Sequence, residues 1–227
     1  MAIDMTTPED RAGAPAAGSR AEVAYQRLKS AIQSRQFEPG QRMREAEIAT
    51  WLGISRTPVR DALKLLESDG LLVAAPRRGL IIAELDQQQV AEIYALRSAL
   101  EGLAARMAAR HASSAELSAL ADVVDRQAQA GPDDDPNALA ELNRRFHQLI
   151  YGAARNRYLL DVLGSLESSL ALLPGTTYSA AGRRETAHAE HKAIVTAIEA
   201  HDADAAEAAA RRHIQEAERV RLLMMLD

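Results

Sequence analysis

The second half of this 227-residue chain is a nearly unbroken stretch of helix-forming residues. Ala, Leu, Glu and Arg dominate it, and Gly and Pro are scarce, which favours helix over strand. Apolar residues recur three and four positions apart, and capping and helix-breaking residues divide the stretch into about six helices. The predicted helices are Gln87–Arg110, Ser114–Ala130, Asn137–Ala154, Asn156–Leu173, Gly182–Ala200 and Asp202–Leu226. We therefore expect an antiparallel helical bundle.

The preceding part of the chain predicts a smaller domain of a different type. Its second and third helices are separated only by Gly53 and Ile54, a tight turn in which glycine suits the left-handed position after a helix. A short apolar hairpin with a basic turn follows. The elements are a helix at residues 21–34, a helix at Glu45–Leu52, a helix after the N-cap Ser55, and a hairpin of Leu71–Ala75 and Leu80–Ala83. This order predicts a winged helix-turn-helix.

The fold class is therefore mainly α, with an N-terminal winged helix-turn-helix and a C-terminal all-α antiparallel bundle. We assign residues 20–85 to the first domain and residues 86–227 to the second. Residues 1–19 are rich in Ala, Gly, Pro and Thr without periodicity, and we expect a disordered tail.

The net charge of −5 is divided unevenly along the chain. Residues 20–82 hold 11 Lys/Arg and 7 Asp/Glu, whereas residues 86–227 hold 15 Lys/Arg and 21 Asp/Glu. A basic block beside an acidic one indicates two domains with different partners.

The basic block concentrates cations on the third helix and on the hairpin. Arg56, Arg60 and Lys64 follow at intervals of four on one outward stripe, with Thr57 beside them, and the pair Arg77–Arg78 lies at the hairpin turn. An amphipathic helix often exposes such a stripe only to solvent. Here the stripe comes together with the tight turn, the cap and the basic hairpin, and the combination predicts binding of double-stranded DNA through the major groove.

Several protein classes are excluded by composition. There is no cysteine, which rules out a disulfide scaffold and a thiolate zinc site. No apolar run approaches the length of a membrane span, and the N-terminus lacks the apolar segment of a signal peptide. We expect a cytoplasmic protein without membrane contact.

The run EIATWLGISRTPVRDALKLLESDGLLVAAPRRGLIIA (Glu47–Ala83) resembles the GntR family of bacterial transcription regulators. Three later runs resemble the family's FadR-type (FCD) helical effector domain, in the shorter six-helix subgroup. They are ALRSALEGLAARMAA (Ala95–Ala109), LNRRFHQLIYGAARN (Leu142–Asn156) and EHKAIVTAI (Glu190–Ile198), and the resemblance covers about residues 21–224.

The resemblance implies roles for individual residues of the first domain. The recognition-helix run that contacts operator DNA in the family matches Ser55, Arg56, Thr57 and Arg60, and the wing tip matches Gly79 with Arg78. Some members carry a DNA-contacting arginine early in the second helix. Ala46 occupies that position here, and Arg42 or Arg44 could replace it.

Histidines in the second domain indicate a metal site. Asn143 and His147 are four residues apart and share one helix face, while His191 and His213 lie on the last two helices. Three imidazoles and one oxygen ligand suit a divalent metal, and we expect zinc first, with nickel, manganese or iron(II) as alternatives. The resemblance implies the same four ligands. A neutral amide at position 143 binds a cation less strongly than a carboxylate does.

A metal with open coordination positions could hold an anionic effector such as an organic acid or a sugar acid. Arg97 could bind the other end of such a molecule, or it could form an ordinary intrahelical pair with Glu101. We therefore expect an effector-responsive regulator, a repressor, that acts as a homodimer on a two-fold operator. A metal sensor, in which the metal is the signal, is an alternative. A metal-dependent enzyme is less well supported, because the chain has no HExxH motif.

Overall fold

The computed structural model describes residues 19–131, 134–173 and 175–226. These residues fall into two compact units, residues 19–85 with 167–173, and residues 86–166 with 175–226. The first unit thus includes a short segment that the sequence analysis assigns to the helical half. The predicted tail lies outside the described residues except for Ser19, which caps the first helix by accepting a hydrogen bond from the Glu22 amide.

The first unit contains three helices followed by a two-stranded hairpin, so the predicted winged helix-turn-helix is confirmed. Gly53 follows the second helix with a φ of +69°, a left-handed conformation that glycine adopts without steric cost. The elements are α1 (Arg20–Gln33), α2 (Glu45–Leu52), α3 (Arg56–Ser68), β1 (Leu72–Ala75) and β2 (Gly79–Ile82).

The segment before α2 pairs with the hairpin as a short third strand-like segment, which the sequence pattern did not predict. The Ile82 amide donates to the Gln41 carbonyl and the Met43 amide donates to the Leu80 carbonyl, both at 2.9 Å. Nothing in the sequence indicated this pairing, because two or three paired residues leave no alternating pattern.

The core of the first unit fixes which face of α3 points outward. Val59, Ala62, Leu63 and Leu66 are all buried, at the three-four spacing of one helix face. They pack with apolar residues of the other elements, and Leu172 of the additional segment joins the same cluster. The opposite face of α3, with its cations, is therefore left exposed.

Six helices follow the hairpin in the described part of the chain, as the sequence predicted, and they form the second unit except for residues 167–170 at the end of α7, which belong to the first. Helix α4 packs along α9, and α8 packs against both. Asn156 and Asp202 cap α7 and α9, each accepting a hydrogen bond from the backbone amide three residues later. The elements are α4 (Gln87–His111), α5 (Ser114–Ala128), α6 (Pro136–Ala153), α7 (Arg157–Leu170), a 3-10 turn (Thr177–Ser179), α8 (Arg183–Glu199) and α9 (Ala203–Met224).

Helix α4 buries its alanines rather than its leucines. Ala104, Ala105 and Ala108 are fully buried, whereas Leu96 and Leu103 are 47% and 39% exposed. Small side chains allow close helix packing, so the Ala face lies inside the unit. The apolar stripe that the periodicity detected is only partly covered.

Candidate functional site

The DNA-facing candidates of α3 all lie on its exposed side. Ser55 occupies the N-cap position with extended backbone, but its hydroxyl makes no capping hydrogen bond. Arg56, Thr57, Arg60 and Lys64 follow on the same exposed side. The structure therefore brings this predicted set together as one polar surface.

Arg60 is held by a residue that the sequence analysis did not select. Its Nε and Nη2 donate to the two carboxylate oxygens of Glu45, both at 2.9 Å. The hydrogen bonds from Arg60 lower the pKa of the Glu45 carboxyl. Because Glu45 is the first residue of α2, fifteen positions away, helical spacing alone gave no sign of this pair.

The hairpin tip presents its arginines through a turn with left-handed backbone. Arg77 has a φ of +63° and Gly79 a φ of +75°, and the Arg78 amide donates to the Ala75 carbonyl at 3.2 Å. The guanidinium of Arg42 lies beside Gly79, and a Cβ on that glycine would be 3.8 Å from Arg42 Nη2. Arg42 is therefore an additional cation of the wing.

The region of the missing helix-two arginine contains other cations. Ala46 is exposed on α2. Arg44, just before the helix, forms an ion pair with Glu47 at 2.6 Å. Of the two arginines that could replace the family's residue, Arg42 lies at the wing and Arg44 lies at the start of α2.

Three histidines converge inside the second unit. His147 on α6, His191 on α8 and His213 on α9 are all buried. The Nε2 atom of His213 is 3.3 Å from Nε2 of His191 and 3.3 Å from Nε2 of His147. The three predicted histidine ligands are thus brought together by three separate helices.

Each of these histidines faces an oxygen atom with its other ring nitrogen. The Nδ1 atom lies 2.7 Å from Glu101 Oε2 for His147, 2.8 Å from Gln127 Oε1 for His191, and 2.7 Å from Glu190 Oε2 for His213. A carboxylate or amide oxygen accepts a hydrogen bond from Nδ1–H, which assigns the hydrogen to Nδ1 and leaves the Nε2 lone pair directed inward.

Burial keeps the rings of His191 and His213 uncharged. The pKa values of His191 and His213 lie well below their usual range, first because burial penalises the charged ring and then because of the neighbouring histidines. Neutral imidazole is the form that binds a metal. These rings can therefore act as ligands at neutral pH.

Arg97 forms the intrahelical pair that the sequence left open. Its Nε donates to Glu101 Oε1 at 2.7 Å, and both side chains are buried. Burial alone would raise the pKa of Glu101, but Arg97 and then His147 lower it overall. Arg97 is thus linked to the histidine cluster through Glu101.

A second buried arginine near the cluster was missed. Arg183 Nη1 donates to Glu190 at 2.8 Å, and Nη2 lies 3.5 Å from His213 Nδ1. Its Nε makes no hydrogen bond within the described part of the chain. Because Arg183 opens α8, the sequence gave it no feature beyond an ordinary helix-terminal charge.

Asn143 lies one turn before His147 on α6 and is half-buried. Its Oδ1 accepts a hydrogen bond from the Tyr178 hydroxyl at 3.1 Å. One lone pair of that oxygen remains for a further partner. Two of the three histidines outside the cluster, His111 and His201, are exposed, and each faces a backbone carbonyl with Nδ1.

None of the helices in the described ranges has the length and apolar character needed to cross a membrane.

Comparison with known proteins identifies both units. Residues 20–82 match the family described as bacterial regulatory proteins, gntR family, and residues 92–216 match the FCD domain. The first match spans the helix-turn-helix and the wing, and the second contains the histidine cluster.

Similar proteins include regulators from several bacteria. An uncharacterized HTH-type transcriptional regulator of Bacillus subtilis, YdhC, is 34% identical over 80% of this chain and 82% of its own length. The "Probable D-xylose utilization operon transcriptional repressor" of Paenarthrobacter nicotinovorans is 33% identical over 77% of this chain and 76% of its own length. The solved structure of E. coli McbR/YncC covers 93% of this chain and all of that chain, with a TM-score of 0.79 and 24% identity.

The names of these relatives describe regulators rather than enzymes, in agreement with the expectation from the sequence. The chain belongs to the GntR family of DNA-binding transcriptional regulators and carries an FCD domain as its second unit.

Proposed function

We propose that this protein is a repressor whose operator affinity is modulated by a small carboxylate-bearing effector bound beside a divalent metal in the helical unit. The observation that carries this proposal is that the Nε2 atoms of three histidines converge while the Nδ1 atom of each histidine faces an oxygen atom. The direction, repression, is supported by the name of the Paenarthrobacter relative. The protein would act in the cytoplasm, where the bacterial chromosome lies.

The exposed face of α3 supports the DNA contacts. We assign base and phosphate contacts to Ser55, Arg56, Thr57 and Arg60, with Lys64 one turn further along the helix. The wing residues Arg77, Arg78 and Gly79 would meet the backbone or the minor groove beside it.

The histidine geometry supports a metal ion for an electrostatic reason. With hydrogen on each Nδ1, the Nε2 lone pair of His213 would face those of His191 and His147, each across 3.3 Å. A cation between them removes this repulsion. Two nitrogen ligands of tetrahedral zinc, each about 2.05 Å from the metal, lie about 3.3 Å apart, so the spacing fits. Zinc is our first choice, and nickel, manganese and iron(II) are alternatives for the same donors.

We assign His147, His191 and His213 as ligands and Asn143 as the oxygen ligand on the same helix face. The bound cation would supply a positive centre for an effector carboxylate. Glu101, Gln127 and Glu190 would hold the imidazole rings in the ligating orientation. Such partners fix the tautomer and raise the basicity of the ligating nitrogen.

The effector would need a second cation, and two buried arginines are available. Arg97 was the predicted candidate, but its Nε already donates to Glu101. Among the described residues, the Nε of Arg183 has no hydrogen-bond partner, so Arg183 is the stronger candidate for a second carboxylate or hydroxyl. An organic acid or a sugar acid has the required groups.

A second copy of this chain would cover the exposed stripe of α4. Leu96 and Leu103 are seven residues apart, the repeat by which two helices pack along a seam. Leu100, between them, is half-buried. A homodimer through this face would present two recognition helices to a two-fold operator.

The deciding experiment combines elemental analysis, a thermal-shift screen and operator binding. Protein is stripped with a chelator, reloaded with each metal, and screened against small carboxylates and sugar acids with and without metal. We expect one metal per chain and acids that raise the melting temperature only when metal is present. The proposal is wrong if no metal binds after reloading. If metal alone changes operator affinity and no acid does, the protein is a metal sensor instead.

A further inference from the structure

The ion pair between Glu45 and Arg60 joins the two helices of the helix-turn-helix. Both guanidinium–carboxylate hydrogen bonds are 2.9 Å long, and the side chains are 58% and 36% exposed for Arg60 and Glu45. A pair this exposed adds little to folding stability, because water screens it. Its geometry is nevertheless the two-pronged arrangement that fixes the plane of a guanidinium.

The pair leaves one edge of Arg60 available. Of the five guanidinium hydrogens, those used by Glu45 are on Nε and on one side of Nη2, so Nη1 and the other Nη2 hydrogen remain. Two adjacent N–H groups on one edge are what a guanine requires at O6 and N7. Glu45 therefore holds the Arg60 guanidinium in an orientation that leaves these two N–H groups available to a guanine.

The same carboxylate opposes a less selective use of Arg60. A free arginine beside DNA can turn to any nearby phosphate, and phosphate contacts carry no sequence information. A carboxylate next to the guanidinium repels phosphates and holds the side chain away from the backbone. Its effect should therefore be larger on sequence preference than on affinity for DNA in general.

We propose that Glu45 is a specificity-determining residue that positions Arg60 to read one guanine of the operator. This inference rests on the proposed contact between Arg60 and DNA. Glu45 itself would touch no base.

The chain offers a matched control. Glu47 is on the same helix and forms an ion pair of the same chemistry with Arg44 at 2.6 Å. Glu47→Gln removes one negative charge from α2, as Glu45→Gln does, but leaves the ion pair between Glu45 and Arg60 unchanged. It measures the general effect of a less acidic DNA-facing surface.

The test begins with selection of a preferred DNA site by the full-length wild-type protein from random duplexes. Binding of wild type, E45Q, R60A, E47Q and the E45Q/R60A double variant is then measured by fluorescence anisotropy over a range of salt concentrations. The DNAs are the selected site, its single-base-pair variants, and a scrambled duplex of equal length. Thermal unfolding confirms that each variant is folded.

We expect R60A to lose its preference for one G·C pair, and E45Q to reduce that same preference roughly tenfold while binding scrambled DNA as well as wild type or better. The double variant should match R60A, because the two residues act as one unit. E47Q should keep the preference and change binding to all duplexes by a common factor.

The outcomes separate this inference from the function it rests on. If R60A binds every duplex as wild type does, the assigned contact of Arg60 is wrong. If R60A loses the preference but E45Q keeps it, Glu45 has no positioning role. The same holds if E45Q weakens binding to the selected and the scrambled DNA by equal factors.

Discussion

Removal of the metal is the change that tests the histidine cluster most directly. We compare chelated and zinc-loaded wild-type protein with the His213→Ala variant, which lacks the ring whose Nε2 atom is 3.3 Å from both of the other Nε2 atoms. His111→Ala is the control, because that histidine is exposed and lies outside the cluster.

The expected magnitude follows from ligand linkage. Zinc at one hundred times its dissociation constant stabilises the folded state by about 2.7 kcal/mol. At about 2.1 cal/mol/K of unfolding entropy per residue, this raises the melting temperature of a helical unit of about 130 residues by about 10 °C. Wild type and the His111 variant should show this shift in full. His213→Ala should show a small fraction of it, because one of three nitrogen ligands is gone.

The pH dependence of the chelated protein has a definite sign. The pKa values of His191 and His213 are lowered in the folded state, so below about pH 6.5 the unfolded chain binds more protons. Stability should therefore fall as the pH is lowered from about 6.5 towards the folded-state values. Differential scanning calorimetry of stripped and loaded protein at a series of pH values measures both effects. Equal zinc shifts in wild type and His213→Ala would refute the three-histidine site.

Four further outcomes follow from the same contacts. Arg56→Ala should weaken binding to the selected DNA site by about 1–3 kcal/mol without changing thermal stability, as measured by anisotropy and calorimetry. Unchanged binding would mean that Arg56 does not contact the DNA. Arg78→Ala should weaken binding to the selected and the scrambled DNA by the same factor and reduce the slope of log affinity against log salt by about one. An unchanged slope would contradict a phosphate contact. Leu103→Glu should halve the mass measured by sedimentation, whereas Leu223→Glu, at another exposed leucine, should not; a dimeric Leu103 variant would exclude the α4 seam. Asn143→Asp should tighten zinc binding in a calorimetric titration because it adds a negative charge, and weaker binding would argue against Asn143 as a ligand.

The sequence alone predicted the helices, the hairpin and the exposed face of α3 that carries the cations. Local signals were sufficient for this: the Gly53 turn, the caps at Asn156 and Asp202, and the three-four spacing of buried residues on α3 act over a few positions. The pairing of Asn143 with His147 on one face of α6 is equally local. That His191 and His213 would join them needed the family resemblance.

Contacts between distant elements were decided only by the tertiary structure. Glu45 meets Arg60 across the turn, Gln127 reaches His191 from α5, and Arg42 lies beside Gly79. No periodicity within one helix records such neighbours, because they depend on how two helices pack.

The packing of α4 shows the limit of pattern reading most clearly. Periodicity identified its leucine stripe, yet the unit buries the face with Ala104 and the Arg97–Glu101 pair and leaves Leu96 and Leu103 exposed. Apolar spacing predicts that a helix face is covered, but it does not show which part of the protein covers it. Close approach of α4 to α9 requires small side chains, and this steric requirement between two helices decided which face lies inside.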